Sequence, residues 1–181
     1  MVKIVISGPP GSGKTTQAKL VAEKYGLKYF SAGAIFREIA EKKKLSIEEL
    51  SLLAMRDPSI DLSIDEKTFE IAKKHDNIVI DGHLTAWIVS DLVDLKIYIT
   101  APLSLRILRI SARDGKPIEK ALVETITREY TQKARFMEYY GIDVDDISIF
   151  DLVINTRNIG VNETFQIISN FMDMYLKSHV S

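Results

Sequence analysis

The sequence predicts an α/β fold of three layers, a parallel β-sheet covered by helices on both faces. Short apolar runs, of the kind buried on both faces of a strand, alternate with longer segments of helical periodicity. The 181 residues are 46% hydrophobic and 27% charged, which suits a domain with a core of its own and excludes disorder. No repeat, low-complexity tract or Pro/Gly-rich linker interrupts the chain, so residues 1–181 read as one domain.

Val2–Ser7 reads as a buried, β-branched strand, and Lys14–Tyr25 as the helix that follows a glycine-rich turn. Leu27–Phe30 reads as a second strand and Ala32–Lys43 as a helix capped by Ser31. Ile47–Met55 and Ile60–Lys74 are helical stretches that meet at Asp57-Pro58, where proline discourages one continuous helix. Ile78–Asp81 and Leu95–Thr100 are apolar strands. A helical segment runs from Leu103 to Tyr140, broken at Gly115–Pro117, and a strand at Leu152–Asn155 precedes a last helix at Asn162–Lys177.

Charge and cysteine usage exclude several functions. Lys and Arg number 24 against 25 Asp and Glu, a net charge of −1, too balanced for a protein that binds bulk nucleic acid or an anionic membrane. The absence of cysteine excludes disulfides, a thiol nucleophile and a thiolate metal site. No apolar stretch serves as a signal or a membrane span, so a cytoplasmic protein is expected. Five of the eight arginines nevertheless crowd between Arg106 and Arg135, which points to local anion chemistry.

Parallel sheets bind ligands beyond the carboxyl ends of their strands. There, Gly8-Pro9-Pro10-Gly11-Ser12-Gly13-Lys14-Thr15 matches G-x-x-x-x-G-K-[ST] between a strand and a helix, the phosphate loop of the P-loop NTPase fold. Its glycines free backbone N–H groups for phosphate oxygens, and the helix adds the positive end of its dipole. Lys14 is placed for the β- and γ-phosphates, Thr15 for Mg²⁺ and Thr16 for the α-phosphate. The motif serves kinases, switches and motors alike, but the N-K-x-D tetrapeptide of a guanine-specific switch is missing.

The second and third strands supply an acceptor side. Ser31 and Arg37 lie on neighbouring sides of the first turns of the Ala32–Lys43 helix; either they face the carboxyl end of the sheet, where an arginine fork binds phosphate at two points, or the helix is a capped surface helix with a solvated Arg37. Asp81 either holds hydrated Mg²⁺, orients the acceptor phosphate, or is a turn aspartate before Gly82. Asp61 and Asp65 either accept from a base amino group or cap helices. Arg106, Arg109 and Arg113 share one helical face, and Arg128 and Arg135 stand seven apart on the next helix; they either turn toward one anion-binding space or pair with Glu119, Glu124, Glu129 and Glu138 on the surface.

In order along the chain, the phosphate loop, Ser31-Ala32-Gly33-Ala34-Ile35-Phe36-Arg37, Asp81-Gly82, Thr100-Ala101-Pro102 and Tyr140-Gly141-Ile142-Asp143 resemble the nucleoside monophosphate kinases. Over nearly its whole length the chain resembles the archaeal branch of the cytidylate kinases. The resemblance implies direct in-line transfer of the γ-phosphoryl group of ATP to (d)CMP with Mg²⁺, without a phosphoenzyme. It implies a core of residues 1–30, 76–102 and 150–181, a monophosphate-binding helical insert at about 31–75, and an arginine-rich helical lid at about 103–141. Ser31, Gly33 and Arg37 would belong to the monophosphate site, on the substrate side with Asp61, Asp65, Asp81 and Gly82. Arg109 and Arg113 would flank the lid, Arg128 and Arg135 would bridge donor and acceptor phosphates, and Arg106 would be peripheral. Two positions depart from the family: His83 stands where arginine is common, and Gln132 where an acidic residue is.

Replacing Lys14 or Arg135 by Met is expected to lower turnover by on the order of a hundredfold with the fold intact. A monomer with small-molecule partners is expected. The alternatives are an adenylate or UMP/CMP kinase of similar size, or a P-loop regulatory ATPase without a small acceptor.

Overall fold

The computed structural model describes residues 1–179. The elements run β1 (Val2–Ser7), α1 (Lys14–Tyr25), β2 (Lys28–Ser31), α2 (Ala32–Lys43), α3 (Ile47–Ala54), α4 (Ser59–Lys74), β3 (Asn77–Asp81), α5 (Thr85–Ile88), a 3₁₀ turn at Ser90–Leu92, β4 (Leu95–Thr100), α6 (Leu103–Asp114), α7 (Ile118–Tyr140), β5 (Leu152–Asn155) and α8 (Val161–His179). The strands form one sheet of order β2-β3-β1-β4-β5, and every neighbouring pair is parallel. This is the predicted architecture.

Val2–Ser7 becomes the central strand because neither of its faces has a polar preference. Ile4 pairs with Val79 of β3 on one side and Leu95 of β4 on the other. Ile4 and Ile6 pack with Ile97 and Ile99 against Ala18 and Val21 of α1 and Ile168 and Met172 of α8. Val5, Ile78 and Ile80 face the opposite layer, with Ala72, Ala86 and Val89. The chain leaves β1 toward β2 on one side and later reaches β4 on the other. The strand order therefore reverses at β1, and at such a point α/β sheets open a crevice beyond the carboxyl ends of their strands.

A separate apolar cluster of Phe36, Ala40, Leu50, Ala54, Ile60 and Ile64 ties α2, α3 and α4 together. Helix α3 starts with a capping box: the Ser46 side chain accepts from the Glu49 N–H, and the Glu49 carboxylate accepts from the Ser46 N–H. Gly115, in the left-handed region at φ 61°, ends α6, and Pro117 opens α7. Differences from the sequence reading are small. β2, β3, α3, α4 and α8 shift by one or two residues at an end, and Thr85–Leu92 is helical, in turns too short to show a period. Among the described residues no helix is long and apolar enough to cross a membrane.

Candidate active site

The loop after β1 is fixed by sterics before any ligand enters. Gly8 has φ +146°, and a Cβ there would lie 2.0 Å from the Ile99 carbonyl oxygen, so only glycine passes β4 this closely. From behind, the Arg106 guanidinium donates to the carbonyls of Pro10 at 3.0 Å and Ala101 at 2.9 Å and is paired with Glu129. Arg106 was expected to be peripheral; it is a buried staple that shapes the phosphate loop and does not line the main cleft. No side chain caps α1, and Lys14 Nζ donates to the Pro9 carbonyl at 3.2 Å.

A cleft of about 470 Å³ opens over the loop and collects Lys14, Arg37, Arg109, Arg113 and Arg128. Two of them, Lys14 and Arg128, have their pKa held below its ordinary value, first by burial and then by their cationic neighbours. Burial lowers Lys14 to about 8; Arg128, Arg37 and Arg113 push the same way and Asp81 opposes them. Burial, then Arg37, lowers Arg128 to about 10. Arg128 lies over the Phe36 ring, 5.6 Å from its centroid, and its Nε is buried without a partner among the described residues. Arg109 is more committed: it donates to the Ser12 carbonyl at 3.3 Å and to Thr156 Oγ1 and carbonyl at 2.9 and 3.2 Å. Arg113 pairs with its neighbour Asp114 at the cleft edge.

Asp81 receives three hydroxyls on Oδ2, from Thr15 at 2.6 Å, Tyr29 at 3.1 Å and Ser31 at 3.3 Å. Its Oδ1 is buried and unpartnered among the described residues. Burial, then the Asp81 charge, pushes the Tyr29 phenol up to about 12. No group of three or more His, Cys, Asp or Glu that could hold a metal exists among the described residues. One carboxylate and one hydroxyl beside a phosphate loop fit a hydrated hard cation that is shared with phosphate oxygens.

Farther along the cleft stand Phe36, Ile64, Phe136 and Gln132 with Asp61 and Asp65. Arg135 is fully buried and does not line the cleft: Nε and Nη2 donate to Asp61 at 2.6 and 3.3 Å and Nη1 to the Ser51 carbonyl at 3.1 Å. Arg135, expected to bridge phosphates, is tethered here to Asp61, a carboxylate that offsets the cost of burying its charge. Tyr140 Oη donates to Asp65 at 2.6 Å. His83 faces Gln132 Oε1 at 3.0 Å and lies edge-on to Phe136, and burial lowers it to about 4, which keeps the ring neutral.

Of the sequence candidates, Pro10 through Thr16, Gly33, Arg37, Asp61, Asp65, Asp81, Gly82, Arg109, Arg113 and Arg128 share this one cleft. Gly8, Pro9 and Ser31 support it without lining it; Ser31 caps α2 by accepting from the Ala34 N–H at 3.2 Å. Sequence reasoning missed Thr156, Ile159, Gly160 and Val161 at the opposite end, a loop that Gln17 Nε2 pins through the Val161 carbonyl at 2.9 Å. The strand-end rule, applied to β5 as well, points to them.

A model of the cytidylate kinase-like family matches residues 3–158. The chain is 68% identical over 177 residues to a cytidylate kinase of Desulfurococcus amylolyticus, covering 98% of this chain and 96% of that one. It is 63% identical over 177 residues to a cytidylate kinase of Staphylothermus marinus, with 98% and 99% covered. Among solved structures, the fold matches shikimate kinase from Acinetobacter baumannii with TM-score 0.60 at 16% identity, covering 100% of this chain and 96% of that one. It also matches an uncharacterized protein from Eubacterium ventriosum with TM-score 0.71 at 20% identity, covering 96% and 99%.

Proposed function

This chain belongs to the cytidylate kinase-like family and is a kinase, and from that premise we propose that it transfers the γ-phosphoryl group of ATP to CMP or dCMP, yielding ADP and (d)CDP with Mg²⁺. The observation that carries the reading is the convergence of Lys14, Arg37, Arg113 and Arg128 with Asp81 on one cleft, whose lining also includes Phe36, Ile64 and Phe136.

The acceptor phosphate is already an anion, so transfer needs no strong base, and the work falls to positioning and charge stabilisation. The N–H groups of Gly8–Gly13 and the Lys14 ammonium hold the donor phosphates, with Thr16 at the α-phosphate. Arg37 and Arg128 hold the acceptor phosphate, with Gly33 and Gly82 leaving room beside them. Arg109 and Arg113 stand over the donor, where closure excludes water that would hydrolyse ATP. Thr15 and Asp81 would hold the Mg²⁺, which would neutralise charge on the transferring phosphates. Phe36 and Phe136 sandwich the acceptor base and Asp61 and Asp65 face its polar edge. Arg135 acts through Asp61 as a positioning residue.

We place the reaction in the cytoplasm, in a monomer whose partners are small molecules. The net charge of −1 and the lack of a membrane-spanning helix among the described residues are consistent with this.

A coupled assay of ADP release tests the reading, with CMP, dCMP, UMP, AMP, GMP or shikimate supplied in turn. CMP and dCMP are expected to give the highest kcat/KM. Preference for AMP would overturn the cytidylate assignment, and turnover without any acceptor would make the protein an ATPase.

A further inference from the structure

The acceptor end of the cleft holds two carboxylates and one buried cation. Asp61 and Asp65 stand four apart on α4, on one face, and both reach the cleft. Arg135 commits its bonds to Asp61 and to the Ser51 carbonyl, and none reaches Asp65. Asp65, which lines the cleft, receives only the Tyr140 phenol among the described residues, on Oδ2, which leaves Oδ1 without a protein donor. Phe36, Ile64 and Phe136 make the surrounding wall apolar. Asp65 is half-buried with no cation hydrogen-bonded to it among the described residues, and the apolar wall and the nearby Asp61 charge disfavour a second negative charge here.

We propose that Asp65 reads the acceptor base as a neutral carboxylic acid: its O–H donates to the bare ring nitrogen N3 of cytosine while its carbonyl oxygen accepts from the 4-amino group. Oδ2 has lone pairs for both Tyr140 and the amino group. The inference rests on the cytidylate kinase reading and adds the protonation form in which the base is recognised. The Tyr140 O–H on Oδ2 favours the acid proton on Oδ1, and uracil then places a ring N–H against the acid's O–H and a carbonyl against its carbonyl, a mismatch that leaves both pairs unmade. Adenine offers the same acceptor and amino pair as cytosine, so this contact sorts amino from oxo bases and leaves adenine to be excluded by size.

The acidity of the group agrees with the geometry. Burial pushes Asp65 up to about 7; the Asp61 charge raises it too, and the Tyr140 bond and Arg135 pull it down. The other helices packed on α4, namely α2, α3 and α5, bring no further charge to bear on it. Ionised Asp65 would turn a negative oxygen on the cytosine N3 lone pair, yet accept readily from the ring N–H of uracil.

The test compares kcat/KM for CMP and UMP from about pH 6 to about pH 8.5 in the wild type, Asp65→Asn and Asp65→Ala. The ratio of the two substrates cancels the titration of Lys14, which acts on both alike. In the wild type the CMP preference should fall by on the order of tenfold between about pH 7 and about pH 8.5. CMP binding near pH 8 should take up protons, read by calorimetry in two buffers of different ionisation heat. Asp65→Asn, whose amide presents the same donor and acceptor without titrating, should keep the preference and flatten the profile; Asp65→Ala should lose it at every pH. A flat wild-type ratio with no proton uptake overturns the proposal, as does loss of preference in Asp65→Asn equal to that in Asp65→Ala. If Asp65→Ala does not fold, the wild-type profile and proton uptake still decide. A wild type that phosphorylates AMP or UMP and never CMP overturns the underlying kinase assignment as well, an outcome distinct from a flat CMP profile.

Discussion

Thr15 Oγ1 donates to Asp81 Oδ2 at 2.6 Å, joining the first turn of α1 to the end of β3. The bond leaves Asp81 Oδ1 as the free acceptor at that junction among the described residues. Asp81→Asn should therefore lower turnover by on the order of a hundredfold and raise the Mg²⁺ concentration needed for half-maximal rate. Thr15→Val should do the same to a lesser degree. Steady-state rates across a Mg²⁺ titration check both, and an unchanged Mg²⁺ requirement in Asp81→Asn would assign the carboxylate a purely structural role.

Lys14, lowered to about 8 in the free protein, titrates within reach of ordinary assays. Its ammonium binds polyanions and its amine does not, so kcat/KM for ATP should decline as the pH rises through about 8. Lys14→Met should flatten that limb and lower turnover by on the order of a hundredfold, while its thermal midpoint stays close to that of the wild type. A declining limb that survives in Lys14→Met would assign the titration to another group.

Arg135→Met should act first on stability. It strands Asp61 in a buried site, which costs about 3 to 5 kcal/mol, and this replaces the fold-neutral loss of rate expected from the sequence. Adding Asp61→Asn should recover part of the loss, so the pair is non-additive in urea denaturation. If Arg135→Met unfolds at the wild-type urea concentration and is slow only in turnover, the arginine belongs to the phosphate site after all.

His83 makes the protein sensitive to acid. Burial lowers it from the ordinary 6.5 to about 4, so the unfolded chain takes the proton first. Its contribution is complete above about pH 6.5 and is lost as the pH falls toward about 4. His83→Asn, which keeps a partner for Gln132, should narrow the difference between thermal midpoints measured at about pH 5 and about pH 7. An unchanged difference would move the acid sensitivity elsewhere.

The phosphate loop and the strands were legible because each is written locally, in a glycine pattern or an apolar run. Helical spacing put Arg109 and Arg113 on one face, and both line the cleft, but spacing gives only a direction around an axis. It put Arg106 on the same face and offered Glu129 as a candidate surface partner, without revealing that this pairing holds Arg106 buried behind the loop. In the same way nothing near Arg135 announces Asp61, 74 positions away in the chain. The partners of buried charges are set by tertiary packing, and that is where the sequence reading stopped.

Helix α7 spans 23 residues and carries Arg128 at the phosphate end, Gln132 in the cleft, and Arg135 and Tyr140 at the two carboxylates. One rigid rod thus sets the gauge between where a phosphate and where a base can sit. At about 1.5 Å and 100° per residue, deleting a single residue between Arg128 and Arg135 would rotate one end of that gauge away from the other. The chain can drift in length at its surface turns, but not along this stretch.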